Sequence, residues 1–177
     1  MNRILAFSTA ILALTGALTV TAADAATRRV VRPNASGGTT ATALVARQGP
    51  QGGALVRGRA VRTDGQGNAT AVSGAALRGP NGATAARAGK TTRSADGTFT
   101  HQSGLTAQGA KGSLQSSGSA SRDADGQVTQ NRTTAVTSAT TGNSAQTTSS
   151  HNSDTGRSRT TTCYDASGAT IACPARP

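Results

Sequence analysis

The sequence predicts a mostly β protein, an extended antiparallel meander of repeated hairpins with glycine-ended turns. Two observations carry that prediction. Gly67, Gly82, Gly97, Gly112, Gly126, Gly142, Gly156 and Gly168 follow one another at steps of 15, 15, 15, 14, 16, 14 and 12 residues. The residues before them are turn formers: Ser94-Ala95-Asp96-Gly97, Asp123-Ala124-Asp125-Gly126, Ala139-Thr140-Thr141-Gly142, Ser153-Asp154-Thr155-Gly156 and Asp165-Ala166-Ser167-Gly168. An Asp or Ser there can accept a hydrogen bond from the backbone two residues on, and the glycine supplies the positive φ of a type I turn with a G1 bulge. Between the turns run Thr-, Ser-, Val- and Gln-rich segments of strand length, and regular turn signals between such segments argue for a meander.

A third observation limits what the sheet can rest on. Leu, Ile, Val and Phe are sparse after Ala25, and only Phe99 and Tyr164 are aromatic there. That aliphatic content is well under the ~20 % at which disorder becomes the default expectation. An ordinary globular core is therefore excluded. The expectation is a thin sheet held by backbone ladders and small side chains, and the alternative is a largely disordered chain.

Taken in order, residues 1–25 read as an export signal. Arg3 precedes an apolar run from Ile4 to Val20, and Ala23-Asp24-Ala25 offers small residues for cleavage after Ala25. The run is too short and too rich in threonine for a membrane anchor, so no membrane span is expected after cleavage. Residues 26–65 read as a flexible basic segment, punctuated by Pro33, Gly37-Gly38, Gly49-Pro50 and Gly52-Gly53. Within it only Ala54 to Arg62 alternates well enough for a first short strand. Residues 66–177 are the β-repeat region. Before Ser94 the basic residues after Ala25 face Asp64 alone, whereas later Lys and Arg nearly balance Asp, so the net positive charge lies in the first half.

Arginine grips phosphate, sulfate and carboxylate bidentately. The cluster Arg57, Arg59 and Arg62 is the candidate anion-binding site, with lipopolysaccharide, extracellular DNA or acidic polysaccharide as partners. Sequence-specific nucleic-acid recognition is not expected, because single-strand binders add aromatic stacking platforms that this chain lacks.

Catalytic chemistry finds no footing. The sequence holds no glutamate, and the aspartate pair of Asp123-Ala124-Asp125-Gly126 lacks the spacing of a calcium loop. His101 and His151 stand alone on Ser/Thr-rich segments and read as solvated strand residues. We expect no catalytic residue, metal site or cofactor. Cys163 and Cys173, the only cysteines, read as a disulfide in an oxidising compartment. A hairpin turning about Gly168 is expected to set Cys163 directly opposite Cys173.

The stretches Arg122-Asp123-Ala124-Asp125-Gly126, Thr140-Thr141-Gly142-Asn143, and Cys163 to Gly168 through Cys173-Pro174 resemble a group of short exported Gly/Thr/Ser-repeat proteins of proteobacteria. The resemblance spans about Gly97 to Pro174. It implies export, periplasmic or extracellular, and a β-repeat architecture, and it carries no active residues. The function expected from these readings is a non-enzymatic structural or surface-associated role, with self-association through β edges. The alternative is a cationic binder of acidic polymers.

Overall fold

The computed structural model describes residues 26–174, and the expected signal and its cleavage point at Ala25 lie outside them. Eleven strands follow one another in one antiparallel sheet whose spatial order is the chain order, and the sheet is not closed. They are β1 Ala26–Pro33, β2 Thr39–Gln48, β3 Ala54–Thr63, β4 Ala69–Arg78, β5 Thr84–Arg93, β6 Phe99–Gly109, β7 Gly112–Arg122, β8 Val128–Ser138, β9 Ser144–Asn152, β10 Gly156–Tyr164 and β11 Thr170–Ile171. No helix among the described residues is long and apolar enough to cross a membrane.

The meander is a chain of nearly identical turns. In six hairpins the first turn residue donates its N–H to the carbonyl of the fifth, and the fourth, a glycine, donates back to the first. At Ser94–Thr98 both bonds are 3.0 Å, and the same pair recurs at Asn34, Gly49, Gly79, Asp123 and Asp165. This is the type I turn with a G1 bulge, and it requires the left-handed backbone that only glycine adopts freely. Every one of the eight glycines in the sequence repeat has a positive φ, from 71° at Gly142 to 141° at Gly112. Two of the expected turns differ in detail. The loop at Gly142 is anchored one residue earlier, by Gly142 N–H to the Ser138 carbonyl at 3.0 Å. The turn before Gly156 is organised by the Asn152 side chain, which accepts from the N–H of Asp154 at 2.8 Å.

The meander also begins earlier than the sequence suggested. Residues 26–65, expected as a flexible basic segment, carry β1, β2 and β3, each paired in unbroken register with its neighbour. Their strand pattern is masked in the sequence by arginines, which a sheet solvated on both faces accepts without cost.

The sheet is a single layer. Ala46 and Cys163 are its only buried apolar residues among those described, and the one buried polar residue is Ser116. Cohesion therefore rests on the backbone ladders and on cross-strand pairs such as Ser116 with Thr134 and Thr147 with Thr161, each hydroxyl pair at 2.9 Å.

The Cys163–Cys173 disulfide is present, with Cα atoms 5.2 Å apart. Its register corrects the expectation. Cys163 lies opposite Ile171, and Tyr164 opposite Thr170. Asp165 closes the turn onto Ala169, with Gly168 as the extra bulge residue, so the pairing falls two residues short of Cys173. The bridge therefore runs diagonally to a cysteine just past the end of β11, instead of joining directly opposed partners.

Candidate anion-binding face

Side chains alternate between the two faces of a strand, and paired residues share a face. Because the register is unbroken from β1 to β10, each face can be read as rows running across the strands. Face A carries a row of Arg29, Ala43, Arg59, Ser73, Gly89, Ser103, Gly118, Arg132, Ser149 and Arg159. The next row toward the chain-reversing end at Lys111 runs Val45, Arg57, Ala75, Arg87, Leu105, Ser116, Thr134, Thr147 and Thr161. On the other side lies the row Thr91, His101, Ala120, Gln130, His151 and Arg157.

This parity divides the expected cluster. Arg57 and Arg59 stand side by side on face A, whereas Arg62, an odd number of residues away, projects from face B. There its guanidinium donates to the Ser36 hydroxyl at 2.7 Å. In exchange, face A gains basic residues from other strands, including Arg29, Arg47, Arg87, Arg93, Arg122, Arg132, Arg157 and Arg159. Arginines repeatedly occupy every second strand with a small residue between them: Arg29-Ala43-Arg59, Arg57-Ala75-Arg87 and Arg132-Ser149-Arg159. No two directly oppose each other, which avoids like-charge contact and spaces them by roughly 9.5 Å, two inter-strand steps.

The acids are elsewhere. Asp64, Asp96, Asp123, Asp125, Asp154 and Asp165 all lie in turns, so every charged residue on a strand is basic. Five of the six are in the turns that end the odd-numbered strands, and only Asp165 lies at the opposite end. Asp123 accepts from Gln127 N–H at 2.8 Å in its own turn, and three others are engaged likewise. Asp165 accepts from Ser167 Oγ at 2.7 Å and from the N–H groups of Ser167 and Ala169, both at 2.9 Å. Asp64 accepts from the Asn68 amide and from Gln66 N–H, and Asp96 from Thr98 N–H and Oγ1. These hydrogen bonds hold all three carboxyls below the usual carboxylate range.

Face A is recessed where two depressions open on it. The polar one, of about 650 Å³, is lined by Arg132, Arg157, Arg159, His101, His151 and neighbouring serines, with no acid among its walls. Arg132 arches over Gly118, whose missing side chain makes room for the guanidinium, and donates to Ser116 Oγ at 3.1 Å and to Ser103 Oγ at 3.4 Å. His101 is half-buried, bonded through Nδ1 to Thr91 Oγ1 at 2.9 Å and stacked beside Phe99 with ring centroids 6.5 Å apart. Nδ1 of His151 is buried without a partner. The two histidines are thus more enclosed than solvated strand residues would be. Two strands lie between them in the same row, and that juxtaposition escaped the sequence because it needs the register of three hairpins.

The apolar depression, of about 790 Å³, lies on the same face at the other end of the strands, lined by Leu77, Ala85, Ala107, Leu114, Val136 and Ile171. Among the described residues no group of three or more His, Cys or Asp side chains is placed to hold a metal ion. Compared with known families, characterised proteins and solved structures, the chain matches none of them.

Proposed function

We propose that this protein is an exported, surface- or envelope-associated, non-enzymatic binder of acidic polymers that works through face A. One observation carries the reading: among the described residues the strands hold only basic charges, and the acids lie in the turns. A polyanion lying across the strands meets guanidinium groups from β1 to β10 with no acidic neighbour to repel it. Guanidinium groups favour phosphate, sulfate and carboxylate, and release of the polymer's counterions drives the association. The disulfide is consistent with the oxidising compartment that export would provide. Phe99 and Tyr164 are the only Phe, Tyr or Trp side chains among the described residues, leaving little aromatic surface for bases, so recognition is by charge and spacing and not by nucleotide sequence.

Heparin and single-stranded DNA binding, titrated at several salt concentrations, tests the proposal. The logarithm of affinity should fall linearly with the logarithm of salt concentration. Arg57→Ser with Arg59→Ser should weaken binding and reduce the slope by about one per residue that contacts the polymer. Arg62→Ser, on the opposite face, should leave both nearly unchanged. Salt-insensitive binding, or equal effects from the two faces, would overturn the face A reading.

A structural role through edge pairing is the second reading, and one feature favours it. The outer edge of β10 from Gly156 to Thr162 has no partner, since β11 covers only Cys163 and Tyr164. An open edge is a template for another strand.

A further inference from the structure

Polymer binding by fixed charges alone leaves the two histidines of face A unused. They are the chain's only histidines, and both cysteines are tied in the disulfide. Histidine is the side chain whose ordinary titration falls between about pH 5 and 8. His101 and His151 are therefore the side chains whose charge changes in that range, and the register sets both on face A in one row.

His101 belongs to a small constellation about Ser103. Ser103 is paired with Gly89 on one side and with Gly118 on the other. A side chain at Gly89 would begin 3.6 Å from Cε1 of His101, and one at Gly118 would begin 3.4 Å from Cζ of Arg132. The imidazole and the guanidinium thus lie over the two glycines, with Ser103 between them. Those glycines stand roughly 9.5 Å apart, which leaves room for one tetrahedral oxyanion with a donor on either hand. Both flanking groups are anchored. Nδ1 of His101 is bonded to Thr91 Oγ1 at 2.9 Å, so a ligand is met by Nε2. Ser116, itself bonded to Thr134, takes one arm of Arg132 at 3.1 Å, and the other arm reaches Ser103 Oγ at 3.4 Å.

His151 provides a second position three strands on. Arg157 lies directly opposite it on β10, with Arg159 on the diagonal, and its buried Nδ1 has no partner. On its other side β8 presents Gln130 opposite and Arg132 on the diagonal. Around His101, β5 and β7 present Arg93 and Arg122 on the diagonals. The acids at this end stay in the adjoining turns. Asp96 accepts from Thr98, and Asp123 and Asp154 accept from Gln127, while Asp125 is exposed at the tip of its turn. Each imidazole therefore has guanidinium-bearing neighbours on the strands at its sides and no acidic one.

We propose that His101 and His151 are anion ligands, each taking a proton from solvent as a sulfate or phosphate monoester of an acidic polysaccharide settles beside it. This rests on the polyanion reading and narrows it, adding a hold that strengthens as pH falls. A monoester has three terminal oxygens, one each for the Ser103 hydroxyl, the Arg132 guanidinium and Nε2–H of His101. A carboxylate or a phosphodiester offers only two. An anion beside an imidazole favours its charged form, so proton and polymer bind cooperatively.

Heparin affinity at about pH 8 and about pH 5.5, at one salt concentration, tests the assignment. The protein is the untagged chain recovered from expression of the whole sequence, because a polyhistidine tag would itself titrate. Heparin's sulfates stay charged throughout, so any change comes from the protein. Affinity should rise about tenfold on acidification, and the salt slope should steepen by about one per histidine that contacts the polymer. His101→Gln with His151→Gln should abolish the rise, although the α-amino group, which also titrates in this range, is still present. Should the substitutions disturb the fold, the imidazole proton resonances of the unaltered protein give an independent reading: heparin should move both titrations to higher pH. Equal affinity at the two pH values would overturn the assignment and leave the polyanion reading standing. So would a rise that survives the double substitution, or titrations that heparin does not move. An equal rise with polygalacturonate or single-stranded DNA would overturn the choice of a monoester. Absence of heparin binding at both pH values would overturn the two readings together.

Discussion

At the scale of single residues, the fold rests on glycines that no other residue replaces cheaply. Gly126 has φ near 88°, and a side chain added there would meet nothing within 4 Å. The cost of Gly126→Ala is therefore purely one of backbone conformation, roughly 1–2 kcal/mol, and Gly126→Asn should cost less because asparagine tolerates the left-handed region. Urea unfolding of the three proteins would check the order. Gly112→Ala should be far worse, since the new side chain would run into the Thr137 carbonyl. The turn aspartates make a second residue-scale statement. Asp64, Asp96 and Asp165 have carboxyls depressed by turn hydrogen bonds. Their stabilisation is complete above the unfolded value, about 3.9, and is lost as pH falls through the lower folded values. Thermal melting should be flat from neutral pH to about 5 and decline toward pH 2. Asp165→Asn should blunt that decline, and a melting temperature that rises on acidification would contradict the assignment.

At the scale of elements, the turns were legible and the register was only partly so. Asp-Gly and Asn-Gly pairs announce positive φ from two adjacent letters at Gly82, Gly97 and Gly126, and the regular spacing points to the other repeat glycines, all of which have positive φ. The disulfide pairing was legible from compartment logic, but the hairpin register was not. The bulge at Gly168 consumes one residue on one strand only, and a hairpin drawn symmetrically about that glycine overlooks the shift that sets Cys163 opposite Ile171. Face assignment is simpler: Arg57 and Arg59 versus Arg62 follow from parity once the strand is accepted. β1 and β2 were missed because alternation of arginine with valine or alanine looks the same in a basic coil as in a two-sided solvated strand. The terminal hairpin carries its own test. β11 is two residues long, so its attachment depends on the Cys163–Cys173 bridge. Closing so short a loop contributes about 2–3 kcal/mol, and reduction should lower the melting temperature and loosen β11 first. Hydrogen exchange of the Thr170 and Ile171 amides before and after reduction would show it.

At the scale of the whole molecule, charge governs what the open sheet can join. Among the described residues its edges are β1 on one side and the outer rim of β10 with short β11 on the other. β1 carries Arg28, Arg29, Arg32 and Pro33, and β10 carries Arg157 and Arg159. Adding a second copy end to end would continue the antiparallel order but bring these arginines together, and charged edges are a common guard against such growth. Arg157→Thr with Arg159→Thr should therefore promote assembly at low salt, as read by light scattering. A heparin chain long enough to bridge two copies should do the same for the unaltered protein. Unchanged scattering in both cases would argue that the edges are blocked by shape and not by charge.

The strict neighbour-to-neighbour order has a consequence for how the gene can change length. Each strand touches only the strands before and after it in the chain, so nothing distant must be rebuilt when one is gained or lost. Strand direction alternates, however, and the aspartates sit almost wholly at one end. Duplicating or deleting a single strand would reverse every strand that follows and scatter acids to both ends. Duplicating or deleting two, roughly thirty residues by the commonest repeat step, would preserve direction, face and the separation of charge. A pair of strands is therefore the smallest piece whose gain or loss leaves the pattern of the sheet unchanged.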